Sequence, residues 1–154
     1  MGACTRTAPS KGKTIMGIKL RHVPPRLAAG AFILNSGLNK RGLDEEAAAG
    51  LQAMAVNGVP QLKDMSPKDF GKLVSTGEIA LGAALLLPVV PSALAGLGLT
   101  AFSAGLVRMY LNTPGMTEDD GIRPTSDGTG LAKDVWLLGI GLGLVVDALT
   151  SRKK

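Results

Sequence analysis

Residues 75–91, STGEIALGAALLLPVVP, hold one carboxylate, Glu78, in an otherwise apolar run that stops at Pro88 and Pro91. The run is part of a longer one. Between Leu73 and Val107 the one charged residue is Glu78, and between Val135 and Ser151 it is Asp147. Apolar stretches of that length read as bilayer-spanning helices and not as the amphipathic helices of a soluble core. The whole chain agrees, with 45% apolar residues and 21 glycines among 154 and a mean hydropathy of +0.25. The sequence therefore predicts a single-domain, all-α integral membrane protein.

Working outward, four segments can be marked, at residues 24–39, 67–88, 92–112 and 131–151. The last three have about 20 residues each, enough to cross ~30 Å of hydrocarbon at 1.5 Å per residue. The first has a shorter apolar core, LAAGAFILNSGL, and charge bias supplies the reason to count it. Of 17 basic residues, Arg6, Lys11, Lys13, Lys19, Arg21 and Arg26 open the chain and Arg152, Lys153 and Lys154 close it. Positive flanks stay in the cytoplasm, so a tail over 1–23 and an end over 152–154 on one side require an even number of crossings. The loop 113–130, with Glu118, Asp119, Asp120 and Asp127 against Arg123, falls outside on this reading. Phe70, Tyr110 and Trp136 fall at the outer interface, where aromatic rings anchor helices.

Local signals fill in the connections. Ser66, Pro67 and Asp69 form the start of the second segment, cap first. The stretch LDEEAAAGLQAMAVNGVP predicts a short extracytoplasmic helix between helices 1 and 2, capped by Asp44, with Ala47, Leu51, Met54 and Ala55 on one face and Gly58 and Pro60 ending it. The fold expected is a four-transmembrane-helix bundle carrying that extra helix.

Few chemistries are open to this composition. One Cys and one His nearly close the metal and haem options, since structural zinc needs four ligands and haem draws on His, Met or Cys in pairs or on a defined distal pocket. Cys4 lies in MGACT, where Arg6 takes the place of the Ser or Thr of a myristoylation signal. TAPSKGKT ends like a phosphate-binding loop but has Thr7 in place of its first glycine and no strand before it. What remains is polar residues inside the bundle. Glu78 lies about 12 Å and Arg108 about 6 Å below the outer interface by helical rise. Either charge alone would be costly in lipid, so an ion pair between them is expected, with small residues beside both for close packing. Asp147 is level with Arg26 near the inner face, and these are expected to pair or to reach headgroups. Gly139 and Gly143 make a small-xxx-small spacing in the last segment, suited to packing within the chain or against a partner, with the internal use favoured. Asn35 and Lys40 join Glu78 and Arg108 in one outer layer, which is the candidate site for a quinone or a lipid headgroup; a purely structural pair is the competing reading.

At this point the sequence resembles the DoxX-like family of small bacterial membrane proteins. PPRLAAGAFILNSGLNK is similar to their first helix, with an arginine, a glycine one turn on and a closing G-x-x-K, here Gly37 to Lys40. GEIALGAALLLP resembles their second helix, and GIRPTSDGTGLAKDVWLLGIGLGLVVDAL the last loop and helix of actinobacterial members. The segment from Arg41 to Met65 departs from the shortest members. The resemblance implies a four-helix bundle that accompanies redox enzymes at the membrane, and it implies no catalytic residue. The function expected is a non-catalytic accessory subunit of a respiratory or redox-linked complex in the bacterial inner membrane, with both termini cytoplasmic. Its expected partners are membrane lipid and other subunits, not nucleic acid. It carries no intrinsic cofactor on this reading. A quinone-binding component of a membrane oxidoreductase and a small dimeric transporter are the alternatives.

Overall fold

The computed structural model describes residues 14–15 and 18–151. Cys4, the TAPSKGKT stretch and the terminal residues Arg6, Lys11, Lys13, Arg152, Lys153 and Lys154 lie outside them. The described chain is mostly helical, with a small antiparallel hairpin, β1 Thr14–Ile15 with β2 Ile18–Lys19, and a non-helical loop over 113–128 that holds one isolated bridge, Thr117 with Pro124. The helices are α1 Val23–Asn39, α2 Glu45–Gly58, α3 Pro67–Leu86, α4 Ser92–Asn112, the single turn α5 Thr129–Ala132, and α6 Val135–Ser151.

The boundaries follow from local chemistry. Prolines in the first turn of α1 occupy positions whose missing N–H groups cost nothing there. The Asp44 carboxylate accepts from Ala47 N at 2.8 Å to start α2, and the Ser66 hydroxyl accepts from Asp69 N at 3.2 Å to start α3. Pro88 ends α3 two residues before the expected limit, because the residue ahead of a proline is driven to extended backbone, as Leu87 is. The expected last segment is broken at Lys133 and Asp134 into α5 and α6.

Two helix pairs make the molecule, α1 along α3 and α4 along α6. Both are close packings that a side chain would block. A Cβ added at Gly82 would meet Leu34 N at 2.6 Å, and one added at Gly141 would meet Thr100 N at 2.8 Å. The pairs join through a core of Ala29, Ile33, Leu85, Ala95, Leu99 and Leu144. At the end away from the termini, α3 and α4 run past their partners, and α2 packs against both extensions. Ala48 of α2 touches the Gly71 position of α3, and Gly58 lies against the Met109 backbone of α4.

Several expectations are corrected. α2 packs on the molecule through Ala48 and Gln52, a different face from the one shared by Ala47, Leu51, Met54 and Ala55. Gln52 is buried because its amide donates to the Leu62 and Met65 carbonyls at 2.6 and 2.9 Å, closing the turn into α3. Phe70 and Tyr110 point into the protein, with the Tyr110 hydroxyl donating to Ile122 O at 2.7 Å. Trp136 alone of the three aromatics is exposed, at 69%. Gly139 and Gly143 face open space, and Gly141 between them makes the contact. Outside the helices, Arg123 bonds Asp120 across a tight turn and holds its carboxyl below the ordinary range.

Among the described residues, two stretches are long and apolar enough to cross a membrane, Ser92–Asn112 and Thr129–Ser151. The second is mostly uncovered by the rest of the molecule, as a lipid-facing helix would be. At 17 residues, α1 spans about 25 Å, short of a ~30 Å hydrocarbon core. Lys68, Asp69 and Lys72 take up the first two turns of α3.

Candidate functional site

Glu78 lies midway along α3 on the side that meets α1, and it is 6% exposed. The two backbones approach closely there, since a Cβ on Gly37 would stand 2.9 Å from Glu78 Cβ. The Ser75 hydroxyl, one turn before, donates to Gly37 O at 3.0 Å. Three residues beyond Gly37, Lys40 ends α1, where a cation suits the helix dipole. Its ammonium reaches back to donate to Glu78 Oε1 and Oε2 at 3.0 and 2.9 Å and to Ser36 Oγ at 2.5 Å. Three donors and three acceptors satisfy the group completely.

The expected Glu78–Arg108 pair is therefore not formed. Matching depth was the wrong criterion, because Glu78 faces α1, while Arg108 is exposed on α4, about 140° around the helix from the buried Ser103. Asn35 is exposed as well. Of the four residues in the expected layer, the structure brings together Lys40 and Glu78 and leaves the other two outside.

Beside the pair is a cavity of about 210 Å³ between α1, α3, α4 and the start of α6. Its polar lining is Ser36, Lys40, Glu78 and Asp134, and Phe32, Phe102 and Leu137 are among its apolar walls. Asp134 is the residue that reading the sequence missed. It sits in the break before α6, where its carbonyl accepts the first bond of the helix from Leu138 N at 3.2 Å, and a carboxylate is favoured at that end. The signal was present in the sequence, as an acid immediately ahead of an uncharged run, but it reads equally well as an interfacial flank. Lys40 is the one cation among the described residues of this cavity, and its three hydrogens are already engaged.

The other end of the bundle has a separate polar network. Arg26 is 1% exposed and does not pair with Asp147. Its guanidinium donates to the carbonyls of Leu85 (2.7 Å), Val90, Ala84 and Leu87 (2.9 Å each) and to Ser92 Oγ at 3.0 Å. All five of its N–H groups are used on the last turn of α3 and the turn into α4. Asp147 is held instead by Lys19 at 2.8 Å, Arg21 at 2.5 Å and His22 at 2.7 Å, and Lys19 also reaches Ser151 Oγ. His22 completes the chain through Ser92 Oγ at 2.9 Å. This arrangement ties both ends of the described chain to the α3–α4 turn, which is a structural role.

The chain matches no protein-family model, no curated protein and no solved structure.

Proposed function

We propose that the chain is a four-pass protein of the bacterial inner membrane, with both termini cytoplasmic, serving as a non-catalytic accessory subunit of a respiratory or other redox-linked complex. The observation that carries this reading is the outer face of α6. That helix buries Gly141 and Leu144 and leaves Trp136, Leu142, Val146 and Leu149 exposed. Apolar surface of this kind calls for lipid or a partner helix. The DoxX-like resemblance supports the same reading, because the residues that carry it in the first two segments, Arg26, Gly30, Gly37, Lys40, Glu78 and Gly82, are those that lock α1 to α3. Extraction from native membranes in mild detergent, followed by mass spectrometry of the intact assembly, should recover the chain in fixed proportion with redox subunits. Recovery of the chain alone would overturn the accessory role.

Asp134 favours a second reading. A carboxyl on a largely apolar cavity whose one lysine is spent elsewhere suits a proton or a small cation, as in a small dimeric transporter. A quinone headgroup brings acceptors and finds no spare donor on Lys40. In proteoliposomes containing a pH-sensitive dye, the transporter reading requires a proton flux that Asp134→Asn abolishes. Equal traces from wild type, Asp134→Asn and empty vesicles would remove it.

A further inference from the structure

A second cavity, of about 270 Å³, opens where α1, α2 and α3 meet. Four cations from two parts of the chain line it: Lys40 and Arg41 at the end of α1, and Lys68 and Lys72 one turn apart on α3. No carboxylate is among its described lining residues. The neighbouring acids are committed elsewhere, Glu78 to Lys40, Asp44 to the cap of α2 and Asp69 to Ser66 Oγ at 2.8 Å. Lys68 and Lys72 also stand in the first two turns of α3, where the helix dipole and each other's charge both oppose a cation. Leu43, Ser75, Thr76 and the small residues Gly71 and Ala48 form the rest of the wall. A concave site with three cations beyond the Lys40–Glu78 pair, one of them a guanidinium suited to two-pronged contact with an oxyanion, matches one class of ligand.

We propose that this cavity binds a phosphate-bearing anion, either the headgroup of an anionic phospholipid or a free phosphate. Lys40 is fixed by Glu78 and frames the site, while the exposed Arg41, Lys68 and Lys72 supply the donors. The lipid source rests on the four-pass reading above, which places the polar start of α3 at headgroup level. The free-phosphate source does not rest on it.

The test uses the purified full-length protein in a neutral detergent and follows its unfolding temperature during titration with phosphatidylglycerol, with phosphatidylcholine and with inorganic phosphate. Phosphatidylglycerol should stabilise saturably and phosphatidylcholine should not. A further response to inorganic phosphate would identify free phosphate as sufficient, and its absence would identify the lipid. The double variant Lys68→Gln/Lys72→Gln changes two exposed side chains and should keep its helix content by circular dichroism. It should lose affinity roughly 30-fold, at about fivefold per cation. A wild type that responds to neither anion, or a double variant that responds as the wild type does, would overturn the proposal. Should the chain prove not to span the membrane four times, the phosphate titration still decides the site.

Discussion

Arg26 shows how much one side chain can organise. A helix ends with carbonyls that have no partner in the helix, and in a water-poor bundle each unsatisfied group costs about 1 to 3 kcal/mol. Arg26 meets this need with three carbonyl contacts at the end of α3 and a fourth, to Val90, in the turn beyond it, and uses its fifth hydrogen on Ser92. Arg26→Met should therefore destabilise the protein by about 3 kcal/mol or more. Arg26→Lys should restore only part of the loss, because three donors on a point charge cannot cover five acceptors. Chemical unfolding in detergent micelles measures both, and a fully stable lysine variant would show that charge and not geometry matters. The Lys40–Glu78 pair makes a different prediction. Glu78→Gln or Lys40→Gln alone leaves a charge in a buried setting, at a cost of about 3 to 5 kcal/mol on the scale of soluble proteins, and the double change should be milder than either. Arg108→Gln, on an exposed side chain, should fall within about 0.5 kcal/mol of wild type. Equal costs for the Glu78 and Arg108 variants would restore the pairing first expected from depth. That expectation failed because helical rise gives depth along the axis, whereas partner choice depends on the direction in which each helix face points.

At the scale of elements, the contacts separate glycines that the sequence leaves equivalent. Residues 139, 141 and 143 are all glycine, so spacings along the helix offer two faces and the sequence does not choose between them. The structure uses Gly141, and a methyl group there would push α4 away at the Thr100 backbone. Gly141→Ala and Gly82→Ala should each cost about 1 to 3 kcal/mol through overpacking. Gly139→Ala and Gly143→Ala meet nothing and should be neutral, or stabilising by up to about 1 kcal/mol through helix propensity. Thermal unfolding of the four variants checks the division, and a loss at residue 143 equal to that at 141 would place the wrong face inward. Caps were legible where one residue makes them, as at Asp44 and Ser66. The inward face of α2 was not legible, because Gln52 is held by carbonyls of a turn that forms only once the chain folds back.

At the scale of the whole molecule, α4 matched its sequence boundaries at both ends, since Pro91 before it and the polar loop after it stop it by local chemistry. The arrangement of two helix pairs with α2 across their extensions was not legible. It depends on where glycines let backbones meet, and periodicity in an apolar run carries little facial information. The shortness of α1 bears directly on topology. A 17-residue helix can cross only if the bilayer thins around it, since Lys40 at its end is turned back to Glu78 and Arg21 before it is held by Asp147. The four crossings proposed would place the α3–α4 turn with the termini and put α2 and the loop after α4 on the opposite side. Single cysteines labelled in intact cells by an impermeant maleimide test this most directly. Cys4, and in a Cys4→Ser background Val89→Cys in the α3–α4 turn and Lys154→Cys, should react only after lysis. Asp119→Cys in the loop should react before it. Labelling of Val89→Cys and Asp119→Cys from the same side, or of Cys4 in intact cells, would contradict a four-pass bundle with both ends in the cytoplasm.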